Sequence, residues 1–169
     1  MLNKIVQHEE IESMWEEVGM MNEDEAMGLI DEIGDAQPAL LEYLMTAPEE
    51  FNDAEAEQML YIGVILWKIM NKHSQEMKVI SEEELLNLED KNIAMMEQLQ
   101  GESEGDGIAL IENFLNDYPQ PNILASISSA LIIDDMEEDD EDEEISEDAR
   151  GTMMLVLKTA LDAMHNNAH

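Results

Sequence analysis

Cysteine is absent from the 169-residue chain. Disulfides, thiolate nucleophiles and cysteine-bound zinc or iron–sulfur centres are therefore excluded. Positive charge is scarce: 7 Lys and Arg stand against 42 Asp and Glu, for a formal net charge of -35. Such a chain repels bare nucleic acid and anionic membrane and favours basic partners or solvated cations. Its self-repulsion opposes compaction and should weaken as salt screens it. A salt-adapted organism would show the same charge without any specific partner. Aromatic residues are few. Strand signals are poor: the alternating runs and Asn-Gly or Asp-Gly turns that mark hairpins are missing. The most apolar stretch, Met59 to Met70, carries a single charge, Lys68. It is too short for a membrane span, which needs about 20 apolar residues. Met1 to His8 contain no apolar h-region, so no signal peptide is expected and the cytoplasm is the default compartment.

Apolar residues are present in quantity. They make up 44% of the chain, and 15 of them are Met. One compact domain over 1–169, with a sizeable core, is expected. Met fills irregular gaps in a helical core in place of Leu, and the same flexibility suits an adaptable groove.

The order of signals predicts an all-α fold of about eight helices. Leu2, Ile5, Val6, Ile11, Met14, Trp15 and Val18 recur at helical spacing up to Gly19. Asn22 and Glu25 form a capping box, as do Asn52 and Glu55, and Ser81 and Glu84. Gln37-Pro38 opens a short helix, where proline costs nothing because that N–H lacks a helical partner. Leu85, Leu88, Ile93, Met96 and Leu99 make the stripe of a long helix, and Ile108 to Leu115 another. Gln120-Pro121 repeats Gln37-Pro38. Ser146 caps the last helix.

These signals read as a tandem duplication of a four-helix unit, with halves 1–74 and 79–169. A shift of 94 lays Met59 on Met153, Ile62 on Val156, Trp67 on Leu161 and Met70 on Met164. A shift of 82 lays Val6, Ile11 and Met14 on Leu88, Ile93 and Met96. The second copy carries 11 extra residues, which coincide with an acidic loop insertion at 134–144. Lys158, Thr159 and Asp162 give the last helix a polar side, read as the outer face of a terminal element in a helical repeat or bundle.

Few constellations could carry chemistry. His8 and Glu12 share a helical face but supply at most two metal ligands. Asp162 and His165 have the spacing of half a di-iron site, without a second half. His165 and His169 fall in a terminal tail. Gly101 to Gly107 lacks the Lys of a phosphate cradle, and no nucleophile elbow is present. The acidic run has no Gly for an EF-hand turn. Trp15 and Trp67 sit on apolar faces and suit core packing. No catalytic residue, cofactor or metal site is therefore expected.

The expected function is a non-catalytic acidic scaffold that binds a protein with a basic surface, without direct nucleic-acid or membrane contact. The candidate partner-binding residues are Asp134, Asp135, Glu137, Glu138, Asp139, Asp140, Glu141, Asp142, Glu143 and Glu144. Most of the net charge lies outside that run, so a nucleic-acid mimic filling the basic groove of a DNA- or RNA-binding protein is an alternative. A carboxylate-rich metal enzyme is a third and weaker one.

Overall fold

In the computed structural model, residues 1–46, 48–100, 115–137 and 145–169 are described. They form an all-helical chain: α1 (His8–Gly19), α2 (Glu23–Ala36), α3 (Pro38–Met45), α4 (Asp53–His73), α5 (Glu82–Gln100), α6 (Pro121–Glu137) and α7 (Glu147–Asn167). Among the described residues the only β-type pairing is one antiparallel bridge, Met77 to Ala168. The helix expected over Ile108 to Leu115 lies outside them except for Leu115, which is helical together with residues 116–117.

The caps set the helix starts. Asn22 Oδ1 accepts from Glu25 N at 2.8 Å, and Asn52 Oδ1 accepts from Glu55 N at 2.8 Å. Each satisfies one of the donors that the first helical turn leaves without a partner. Ser146 Oγ does the same for Ala149 N at 3.1 Å. Proline opens α3 and α6.

The helices α4 and α7 form the centre and pack against each other. On α4, Met59, Ile62, Ile65, Leu66, Ile69 and Met70 are fully enclosed, as a helix that is apolar around most of its circumference must be. Gly63 lets α3 approach closely, since a Cβ there would stand 2.7 Å from a Leu44 methyl. The starts of α4 and α7 are tied by Glu55, which is buried. Its carboxylate accepts from Asn52 N at 2.9 Å, and from Ser146 N and Ser146 Oγ at 3.2 Å each. One negative charge thus sits at two helix N-termini, where the backbone dipoles favour it.

The remaining helices interleave across the chain. α1 packs on α4 and on α6, while α5 packs on α7 and on α3. Two buried glutamines fasten this exchange. Gln37 Nε2 donates to Lys78 O at 3.0 Å, and Gln37 Oε1 accepts from Ile80 N at 2.8 Å. Gln120 Nε2 donates to Lys4 O at 2.9 Å, and Gln120 Oε1 accepts from Val6 N at 3.0 Å. A primary amide carries one donor side and one acceptor side, like a peptide unit. Each glutamine therefore pairs with residues i and i+2 of an extended segment, as a neighbouring strand would.

These contacts change four expectations. First, Leu2 to Val6 do not join α1, which begins at His8; the Gln120 clamp holds Val6 extended. Second, the shift of 82 lays buried Ile11 on Ile93, which is 37% exposed, whereas a shift of 74 lays Val6 on Ile80 and Ile11 on Leu85, all buried. Helix α5 has 19 residues against 12 in α1. Third, the polar side of the last helix faces inward: Lys158 is 7% exposed and Thr159 is fully enclosed. His165 likewise is buried within α7 rather than part of a tail. Fourth, Asp134 to Glu137 continue α6 as helix instead of opening a loop.

Candidate functional site

Of the acidic residues singled out by sequence, Asp134, Asp135 and Glu137 lie in the last turn of α6. Glu138, Asp139, Asp140, Glu141, Asp142, Glu143 and Glu144 lie outside the described residues. Two surface grooves and one interior cluster carry the describable geometry.

The first groove, about 560 Å³, lies between α3, α5 and α7. Leu85, Leu86, Leu155 and Val156 give it an apolar lining, and Glu42, Glu49, Glu82 and Glu89 contribute carboxylates. The Tyr43 hydroxyl donates to Glu89 Oε2, joining α3 to α5. Burial, then the Glu89 carboxylate, pushes the Tyr43 hydroxyl well above its ordinary pKa of 10.0, because both disfavour the phenolate.

The second groove, about 580 Å³, lies between α1, α4 and α6. Trp15 and Tyr61 line it as an edge-to-face pair, with ring centroids 6.1 Å apart and planes at 65°. Burial raises the Tyr61 pKa as well. Ala125, Ser126, Ser129 and Ala130 of α6 are small and leave the opposite wall open. His8, Glu12 and Glu16 of α1 complete the lining. The Trp15 indole N–H is buried with no acceptor among the described residues.

Fixed shifts along the chain lay lining positions of one groove on those of the other. At a shift of 74, Ile11 meets Leu85 and Trp15 meets Glu89. At 94, Tyr61 meets Leu155; at 83, Tyr43 meets Ser126 and Thr46 meets Ser129. The grooves differ in what fills them. The first has a tyrosine on α3 bonded to an acid on α5. The second has a tryptophan on α1 and a serine on α6.

The interior cluster joins α5, α7 and Tyr118. Lys158 Nζ donates to Asn92 Oδ1 at 2.6 Å and to Asp162 Oδ2 at 2.7 Å. Asn92 Nδ2 donates to Thr159 Oγ1 at 2.9 Å and to Asp162 Oδ2 at 3.1 Å. The Tyr118 hydroxyl donates to Asp162 Oδ1, and the Lys158 ammonium lies 5.4 Å from the Tyr118 ring centroid. Burial, then the Asp162 charge, drives the Tyr118 pKa far above 10.0. Charges withdrawn from water need such pairing. At shifts of 74 and 94, Asn92, Lys158 and Thr159 correspond to Val18, Val64 and Ile65, which are buried and apolar. An apolar cavity of about 260 Å³, lined by Met95, Met96, Leu99, Leu124 and Met154, adjoins Asn92 and Lys158. Near the end of α7, the His165 Nδ1 is buried without a partner among the described residues. Desolvation, then the N-terminal ammonium, lowers its pKa, against an opposing pull from Asp162.

Among the described residues no group of three His, Asp or Glu could hold a metal ion, and no helix is long and apolar enough to cross a membrane. Sequence reasoning placed Trp67 correctly in the core, where it is 2% exposed. It also assigned Trp15 to the core, but Trp15 is half-buried and lines a groove. The pairings of Tyr43 and Tyr118 had no signal in the spacing, since Glu89 and Asp162 are 46 and 44 positions away. No family model, curated protein or solved structure matches the chain.

Proposed function

We propose that the protein is a non-catalytic acidic helical scaffold that binds a protein partner through the partner's basic surface. The observation that carries this reading is the pair of grooves, each combining an apolar lining with carboxylates that form no ion pair among the described residues, on a chain of net charge -35. Apolar lining supplies contact area, and the surrounding charge steers a basic surface and selects against acidic ones. The chemistry inside the fold agrees with a binding role, because the donors and acceptors of the Lys158 cluster are turned onto one another.

The halves are read as copies of one unit, an extended segment followed by four helices. The reciprocal Gln37 and Gln120 clamps and the matched grooves support this. So do α4 and α7, both of 21 residues and offset by 94 from N-cap to last residue. Two similar grooves on one chain then follow from the duplication.

Affinity capture from a native extract at low and moderate salt tests the function. The expected result is retention of a basic protein at low salt, with release as salt rises. Retention of nothing at either salt overturns the proposal. If the retained protein binds nucleic acid, and the scaffold competes with that nucleic acid for it, mimicry replaces scaffolding as the reading.

A further inference from the structure

We infer that the α1–α4–α6 groove is the recognition site for a lysine or arginine side chain of the partner, seated against the Trp15–Tyr61 pair with Glu12 and Glu16 as counter-charges. The inference rests on the partner-binding reading above and goes further by choosing between the two grooves and naming what enters.

The choice comes from comparing matched positions. In the α3–α5–α7 groove the aromatic hydroxyl of Tyr43 and the carboxylate of Glu89 bond to each other across the space. Acid and aromatic are thus committed to one another. In the α1–α4–α6 groove the position of Glu89 is held by Trp15 and that of Tyr43 by Ser126, so aromatic surface faces small side chains and the volume stays open. Glu12 and Glu16 make no ion pair with any described residue, although Glu17 on the same helix holds Lys68 at 2.7 Å. Helical spacing sets Glu12, Trp15 and Glu16 on one face of α1, beside Tyr61 of α4.

The chemistry of the occupant follows. Aromatic rings offer electron-rich faces that attract cations within about 6 Å. Two carboxylates nearby add charge attraction, and the apolar stem of Lys or Arg matches the lining of Ile11 and Ala130. An acidic or neutral side chain meets repulsion or leaves the carboxylates without a counter-charge. The helix that closes the groove runs on into Asp134, Asp135 and Glu137, so negative residues continue beyond it along the chain.

The test uses the full chain and a lysine-rich amphipathic peptide, with a glutamate-substituted peptide as control. Trp67 is buried, so Trp67→Phe leaves Trp15 as the reporter of the groove; if that variant does not fold, the Trp15 indole N–H resonance of the unaltered protein serves instead. The expected result is a saturable change at Trp15 with the lysine peptide alone. E12Q combined with E16Q should weaken binding roughly five- to tenfold, while E42Q combined with E82Q in the other groove should change it less than about twofold. Trp15→Phe should retain most of the affinity and Trp15→Ala should lose it. The reverse pattern between the two glutamine pairs overturns the site assignment and leaves the partner-binding reading standing. Binding indifferent to both pairs also overturns the assignment. Failure of the lysine peptide to bind removes the inference, and the extract capture then judges the broader reading separately.

Discussion

Substituting Lys158 with Met tests whether the interior cluster is held by its charge pair. Lys158 and Asp162 side chains are 8% and 15% exposed, with 2.7 Å between Nζ and Oδ2. Methionine preserves the length of the stem but leaves the Asp162 carboxylate without its cation. Breaking a buried pair from one side costs about 3–5 kcal/mol. Asp162 would keep two donors, the Tyr118 hydroxyl and Asn92 Nδ2, and it retains slight contact with solvent. The loss therefore belongs at the lower end, about 3 kcal/mol. For a chain of this size that corresponds to a fall in melting temperature of roughly 6–12 °C. Replacing Asp162 with Leu as well removes the stranded charge. Tyr118 and Asn92 then each lose the Asp162 acceptor, Asn92 keeping Thr159, at about 1 kcal/mol apiece. The double variant should thus be more stable than Lys158→Met alone, by about 1 kcal/mol. Urea denaturation of the wild type, both single variants and the double variant closes the cycle. A loss below about 1 kcal/mol for Lys158→Met refutes the reasoning, as does a double variant whose cost is the sum of the singles.

Other consequences are accessible to simple variants. Gln37→Ala and Gln120→Ala each strip two backbone groups of a buried partner and should each cost about 2–3 kcal/mol in urea denaturation; near-neutral behaviour of either would show that its clamp is not a main tie. Gly63→Ala gains helix propensity of about 1 kcal/mol but forces the enclosed Leu44 to move, so it should destabilise, whereas Gly28→Ala, with nothing within 4 Å, should stabilise by about 0.5–1 kcal/mol. The His165 pKa is depressed in the folded state, so its contribution is present above the ordinary value of 6.5 and is lost as pH falls through the folded pKa. His165→Gln should flatten the melting temperature across that acidic window relative to wild type. Tyr43 and Tyr118 have raised folded-state pKa values, so their contribution is present below 10.0 and is lost as pH rises above it; denaturant titrations at alkaline pH should show stability falling, and less steeply in Tyr118→Phe.

Local chemistry was the legible part of the fold. Asn22, Asn52 and Ser146 cap helices where the sequence placed them, because a cap depends on residues three apart. Met59–Met70, apolar on nearly every side, and Met153–Met164, apolar apart from Lys158, Thr159 and Asp162, stand out in the sequence and occupy the two central helices. Tertiary uses of polar side chains were not legible. Gln37 and Gln120 read only as residues that open a helix before proline, yet their amides bond chain 41 and 116 positions away. Lys158, Thr159 and Asp162 read as a solvated face, since charge at helical spacing ordinarily meets water; Asn92 and Tyr118, on other segments, turn that face inward. The register of the first helix was mistaken because Leu2, Ile5 and Val6 carry helical spacing while Gln120 holds that segment extended. The grooves escaped notice for a similar reason: each needs three helices drawn from both halves.

The account stands most directly on calorimetric titration of the intact protein with the lysine-rich amphipathic peptide and with its glutamate counterpart, each at low and moderate salt. The expected result is saturable binding of the lysine peptide alone, with affinity falling as salt is raised. Binding that is equal for both peptides, or insensitive to salt, or absent for the lysine peptide, contradicts a groove built to receive a basic side chain.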